Sequence, residues 1–193
     1  MSAPRPALPA KLVVGFFLKE RGLAGSIIDQ LSDRFGALDL VSPWLPFGFT
    51  NYYTREMGEP LSRRLLCFRS LVAQDALADI KCATNQIEAS FTAGRNRRVN
   101  IDPGLLSLER FVLATGKNFA HRIYLKSGIF ADLTLIYRKA GFETLPWTYP
   151  DYASPQLQAY LAKIRYKYQA DLKRLLSAHA SDAHPSTPPR GVK

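Results

Sequence analysis

Between Arg97 and Leu125 the chain reads RRVNIDPGLLSLERFVLATGKNFAHRIYL, and six polar residues stand within its apolar runs: Arg98, Asn100, Asp102, Lys117, His121 and Arg122. The other two histidines, His179 and His184, lie close to the C-terminus. A neutral imidazole within reach of a carboxylate is a candidate general base, which makes His121 and Asp102 the candidate catalytic pair. Lysine and arginine side chains, together with loop N–H groups, hold phosphate or carboxylate groups. Lys117, Arg122, Arg98 and Asn100 are expected to supply that grip, with the Arg63-Arg64 doublet adding charge. Trp147 and Tyr149 are the expected stacking surface for a flat ring. The same residues also read as a structural set: inter-strand pairs of Asp102 with Arg98 or Arg122, and a hydrogen-bonded His121. Such pairs are common on half-exposed sheets.

Several familiar chemistries are excluded. Gly116-Lys117 resembles the end of a phosphate-binding loop, but Phe111 stands where that motif needs its first glycine, and Asn118 replaces the magnesium-binding Ser or Thr. Asp102-Pro103-Gly104 is one residue too short for an Asp-x-x-Gly element, since Leu105 follows. No GxGxxG, HExxH, GxSxG or paired CxxC occurs. With a single histidine outside the C-terminal stretch, the residues do not point to a serine triad or a His/Cys zinc centre, and no metal-ligating residue is singled out. Cys67 and Cys82 have no such spacing and are expected to be reduced and mostly buried.

These residues must be held by elements whose period the sequence shows. Leu12–Leu18 is a short apolar run suited to a strand buried on both faces. Ser26 is a possible cap for a helix carrying Ile27, Ile28, Leu31 and Phe35, which Gly36 stops. Leu38–Val41 reads as a second strand. Ser42–Pro60 is loop-like yet rich in aromatics: Trp44, Phe47, Phe49, Tyr52 and Tyr53. Arg63–Val72 reads as a strand. An amphipathic helix follows from about Asp75 to Ala93, ended by Gly94. Arg98–Asp102 alternates, placing Arg98, Asn100 and Asp102 on one face and Val99 and Ile101 on the other. Pro103-Gly104 is expected to turn the chain. Three antiparallel strands follow, Leu106–Thr115, His121–Lys126 and Ile129–Arg138, the last two joined by a two-residue hairpin loop at Ser127-Gly128. Pro146–Tyr152 cannot be helical. Ser154-Pro155 opens a last helix with the stripe Leu157, Leu161, Ile164, Tyr168, Leu172 and Leu175.

The order predicts one α+β domain with a ferredoxin-like β-α-β-β-α-β start, extended by an antiparallel β-meander and a closing C-terminal helix. Residues 1–10 are expected to be a flexible N-terminal arm, 11–177 the domain, and 178–193 a disordered tail. A length of 193 residues suits a single domain, and a hydrophobic content of 47% suits a full core. No apolar stretch is long enough to span a bilayer and no signal-peptide pattern opens the chain, so a cytoplasmic location without membrane contact is the expectation. The net charge of +10 favours anionic partners. Lys163, Arg165, Lys167, Lys173 and Arg174 on the last helix read most simply as a solvated basic face.

The segments Arg98-Val-Asn-Ile-Asp-Pro-Gly, Lys117-Asn-Phe-Ala-His-Arg-Ile-Tyr-Leu and Pro146-Trp-Thr-Tyr-Pro-Asp-Tyr resemble an uncharacterised prokaryotic family named only as domain of unknown function 4416. Tyr52-Tyr-Thr-Arg-Glu-Met-Gly, Pro60 and Arg63-Arg64 fit the same family. The resemblance covers roughly residues 11–175. It implies a stand-alone domain of this size and supplies no reaction. Some members carry a transferred GTP-binding label, whose motifs are missing here.

Three functions follow as expectations. The first is binding of a phosphorylated small ligand, such as a nucleotide, with or without chemistry on it. The second is a basic RNA-binding module, since ferredoxin-like sheets can present aromatics to unstacked bases. The third is a protein-interaction module using the aromatic loop 44–53. Whether the protein is an enzyme, and with what cofactor, is not legible in the residues.

Overall fold

The computed structural model describes residues 3–182 apart from 51, 95 and 140, with side chains as far as residue 178. Its first strand, β1 (Ala10–Leu18), is buried along all nine residues. Two antiparallel neighbours explain this: β4 (Leu61–Val72) on one side and β7 (Val99–Leu106) on the other. β2 (Leu38–Val41) and the short β3 (Leu45–Phe47) both pair with β4. The four strands of the opening motif therefore lie in the order β7-β1-β4-β2, fourth-first-third-second along the chain. That is the ferredoxin-like arrangement that the element order predicts. The sheet continues from β7 through β8 (Arg110–Thr115) and β10 (Ile129–Arg138) to β11 (Gly141–Thr144), with β9 (Arg122–Lys126) also on β10.

Strand alternation divides the core between the two faces. Leu12, Val14, Phe16 and Leu18 pack with Ile27 and Leu31 of α1 (Ala24–Phe35) and with Leu77 and Ile80 of α3 (Leu77–Ser90). On the other face Val13, Leu65 and Cys67 meet Leu157, Leu161, Ile164 and Tyr168 of α4 (Pro155–Asp182). A smaller cluster joins Phe17, Phe47 and Leu61 to Met57 of the one-turn α2 (Thr54–Met57). Lys11 is fully buried in β1. Its ammonium donates to Asp39 of β2 at 2.8 Å, to Asp171 of α4 at 2.6 Å and to the Arg69 carbonyl of β4 at 3.1 Å. Lys167 closes the network onto the same two aspartates.

The structure corrects several local expectations. Ser26 lies inside α1, which starts at Ala24 after a 3-10 turn and has no side-chain cap. The second long helix is shorter than its apolar pattern suggests. A 3-10 turn at Gln74–Ala76 precedes it, and Thr92–Ala93 (β5) and Asn96–Arg97 (β6) form a small hairpin after it. Gly94, at φ 64°, takes that hairpin's left-handed position.

Pro103-Gly104 does not turn the chain; β7 runs straight through both residues. The ladder to β8 begins only at Gly104, so the missing proline N–H falls where the sheet on that side is incomplete. Gly104 is needed for closeness instead of for a bend. A Cβ there would stand 2.7 Å from the Phe111 ring and 2.8 Å from the Val112 carbonyl. The turn comes later, at Ser107–Glu109, so β8 starts at Arg110 and not at Leu106.

The Ser127-Gly128 hairpin forms as expected, with φ of 54° and 74° at its two loop residues. α4 continues to Asp182, past the end near Ser177 that the apolar stripe predicts; Ala178 and Ala180 favour that extension. His179 falls on it, while His184 and the rest of the expected tail lie outside the described residues. On α4, Arg165 and Lys167 are not a free basic face. Arg165 lies 3.6 Å from the Tyr137 ring centroid and donates to the Leu108 carbonyl, and Lys167 is ion-paired. Among the described residues no helix is long and apolar enough to cross a membrane.

Candidate functional site

β7 pairs with β1 over its whole length but with β8 only at Gly104–Leu106. β8 meanwhile stays on β10 along its whole length. β7 and β8 part beyond their short ladder, and a cavity of about 700 Å³ opens between them, a size typical of small-molecule sites. Asn100 and Asp102 line it from β7, and Leu113 to Lys117 from β8 and the loop beyond. Phe47, Phe49, Tyr52 and Tyr53 form an aromatic wall, Tyr149 to Tyr152 close another side, and Lys81, Asn85 and Glu88 reach in from α3.

The floor is Arg63. It is 4% exposed, pairs with the buried Asp151, and lies among the rings of Phe47, Tyr152 and Phe17 at 4.8, 5.0 and 5.4 Å from their centroids. A buried guanidinium needs both a counter-charge and weakly polar neighbours to offset its lost hydration. Gly15 belongs to this arrangement, because a Cβ there would come within 3.2 Å of the Tyr152 hydroxyl.

Above the floor stands Asp102. Its Oδ2 accepts from Asn100 Nδ2 at 2.7 Å, its Oδ1 accepts from Lys81 Nζ at 3.3 Å, and Arg63 Nη2 is 3.9 Å away. Asn100 is oriented in turn by Arg97, which donates to its Oδ1 and pairs with Glu56 and Glu88. The hydrogen bonds from Arg97 hold Glu56 below the usual glutamate range. Burial, reinforced by the charge of Asp102, pushes the Tyr53 phenol up to about 12. Burial also raises Tyr149, against the pull of Arg122. Both phenols therefore face the cavity as neutral hydroxyls.

Lys117 stands at the rim. Its ammonium sits 4.4 Å from the Tyr52 ring centroid and 3.4 Å from the Tyr52 hydroxyl. Among the described residues it has no carboxylate partner within ion-pair range.

The structure thus gathers five of the residues that the sequence singles out, Arg63, Asn100, Asp102, Lys117 and Tyr149, around one cavity. Arg122 stands behind them as a brace: it donates to Asp132 at 2.9 Å, to the Lys117 carbonyl at 2.9 Å and to the Tyr149 hydroxyl at 2.6 Å. The others go elsewhere. Arg98 precedes β7, escapes its alternation, and pairs with Glu20 on the surface. Arg64 is next to Arg63 on β4 and so faces the opposite side, where it lies over Trp44 and donates to the Ser42 carbonyl.

His121 faces Asp132, at 3.3 Å, and not Asp102. It stacks on Trp147, with centroids 4.7 Å apart, and lines a second cavity of about 430 Å³ with Ile123, Leu125 and Leu133. Trp147, whose Nε1 donates to the Leu133 carbonyl, does not line the larger cavity. A His121–Asp102 acid–base pair is not assembled.

Sequence reasoning misses Asp132, Lys81, Arg97 and Asp151. Two of them carry a faint signal, a charge inside a run that otherwise packs. Asp132 interrupts IFADLTLIYR, and Lys81 falls on the buried stripe of α3. Among the described residues, no three His, Cys, Asp or Glu converge as metal ligands.

No curated protein and no solved structure matches this chain. Residues 8–168 match the family described as Domain of unknown function (DUF4416), a span that includes every residue around the cavity, and the chain belongs to that family.

Proposed function

We propose that the cavity between β7 and β8 binds a phosphorylated small ligand, with nucleotides among the candidates. The observation that carries this reading is Lys117, a cation with no carboxylate partner among the described residues, at the mouth of an aromatic-lined cavity. The other cations lining the cavity are already matched: Arg63 by Asp151, Lys81 by Asp102, and Arg97 by Glu56 and Glu88. Among the described residues, an anionic group entering the cavity meets one free positive charge, at the rim, where desolvation is least costly. Phe49 and Tyr52, both exposed, offer ring faces beside it. If the ligand is transformed, Asp102 is the partly open carboxylate facing it.

Calorimetric titration of the whole chain with inorganic phosphate, ribose 5-phosphate and 5′-nucleotides tests the proposal. Saturable binding of at least one phosphorylated compound, lost in Lys117→Ala, is the expected result. Binding of single-stranded RNA alone, weakening steeply with salt, would replace this reading with a nucleic-acid one.

A further inference from the structure

We infer that Asp102 reads a pair of neighbouring hydroxyl groups, so that the ligand is a phosphorylated sugar or ribose derivative carrying a vicinal diol. This rests on the reading of the cavity as a phosphorylated-ligand site.

An ionised carboxylate offers roughly four lone-pair positions. Asp102 uses one on Oδ1 for Lys81 and one on Oδ2 for Asn100. One position stays open on each oxygen, and the side chain, 28% exposed, lines the cavity. Two adjacent hydroxyls can donate to the two oxygens side by side. The carboxylate is also held in place: Asn100 is fixed by Arg97, and Lys81 is fixed by the Ile101 carbonyl at 2.7 Å. A rigid, two-pronged acceptor suits a diol better than a single donor, because its geometry is set before binding.

The surrounding charge narrows the donor further. Lys81 already neutralises Asp102, and Arg63 adds a second cation, a guanidinium 3.9 Å away. A ligand ammonium would find no unbalanced negative charge there, whereas neutral hydroxyls need none. Tyr53 and Tyr149 add neutral phenols to the same cavity.

Calorimetry on the whole wild-type chain with four probes tests this: ribose 5-phosphate, 2-deoxyribose 5-phosphate, O-phosphoethanolamine and inorganic phosphate. Ribose 5-phosphate should bind at least about tenfold more tightly than its deoxy form, the loss expected for one hydrogen bond to a charged acceptor. O-phosphoethanolamine should bind no more tightly than inorganic phosphate. In Asp102→Asn the ribose-to-deoxyribose ratio should fall to about one. Equal affinities for the two sugars in the wild type overturn the diol assignment while leaving the phosphate site standing, and so does a preference for O-phosphoethanolamine. A ratio that survives in Asp102→Asn removes Asp102 from the role. If that variant does not fold, the wild-type ratio decides alone. If neither these four probes nor the 5′-nucleotides bind, the phosphorylated-ligand reading fails and takes this inference with it.

Discussion

Two residues of the candidate set illustrate opposite physical situations, and their substitutions should separate cleanly. Asp132 is 1% exposed and accepts from Arg122, whose side chain is 10% exposed. Removing the carboxylate leaves a mostly buried guanidinium without its counter-charge, so Asp132→Ala should cost about 3–5 kcal/mol. Lys117 is exposed and has no ion pair to lose among the described residues, so Lys117→Ala should change stability by no more than about 0.5 kcal/mol while removing phosphate binding. Urea unfolding of the two variants beside wild type distinguishes brace from binder; a comparable loss in both would place Lys117 in the scaffold. Gly104→Ala is a third residue-scale test. Its Cβ would meet the Phe111 ring and a backbone carbonyl that cannot swing aside, and overpacking of this kind costs about 1–3 kcal/mol. A neutral Gly104→Ala would mean that β7 and β8 can separate further than their packing implies.

At the scale of elements, the docking of α4 governs one whole face of the sheet. Leu161 and Ile164 are fully buried beneath it, so either change to alanine should lower stability by about 2–5 kcal/mol in urea titration. The polar half of the same interface predicts a pH dependence. Desolvation works against ionisation of Asp39 and Asp171, but hydrogen bonds from Lys11 and Lys167 outweigh it and leave both carboxyls below the usual aspartate range. A depressed folded-state value stabilises the protein above the unfolded value of about 3.9. That contribution is lost as pH falls through the folded value. Wild type and Asp171→Asn should therefore differ in urea midpoint at neutral pH and converge as the pH falls through that depressed folded-state value. A difference that persists in stronger acid would show that Asp171 acts by packing and not by charge.

For the molecule as a whole, internal ion pairs use up cations and carboxylates alike, so the formal charge of +10 rests on the cations outside those pairs. Lys11, Arg63, Lys81, Arg97 and Arg122 all answer internal carboxylates, and Arg165 lies against Tyr137. Global stability should respond to the ligand accordingly. A compound that binds only the folded state at a hundred times its Kd adds about 2.7 kcal/mol, which for a chain of this size is a rise in Tm of roughly 5–10 °C. Thermal unfolding with and without ribose 5-phosphate, in wild type and Lys117→Ala, measures it. A shift of equal size in both would locate binding away from the β7–β8 cavity.

What the amino-acid sequence determined by itself is whatever depends on near neighbours along the chain. The buried run of β1, the periodicity of α1 and α3, the stop at Gly36 and the left-handed pair at Ser127-Gly128 are local matters of side-chain period and allowed φ, and they were legible. The ferredoxin-like order followed from the succession of those elements. So did part of the cavity, since strand alternation places Asn100 and Asp102 on one face. Tertiary structure decided everything that depends on which strand lies alongside which. Pro103-Gly104 has the composition of a turn, yet it runs as strand because β1 pairs along it while β8 joins only at Gly104. Arg63 and Arg64 differ by one residue, and only the packing of β4 between two layers makes one a buried floor and the other part of the opposite face. His121 found Asp132 and Trp147 in place of Asp102 because β9 pairs with β10, away from β7. Alternation along a strand says which side chains share a face; which groups meet across that face is set by strand pairing, and so are the cavity and the charges that remain free within it.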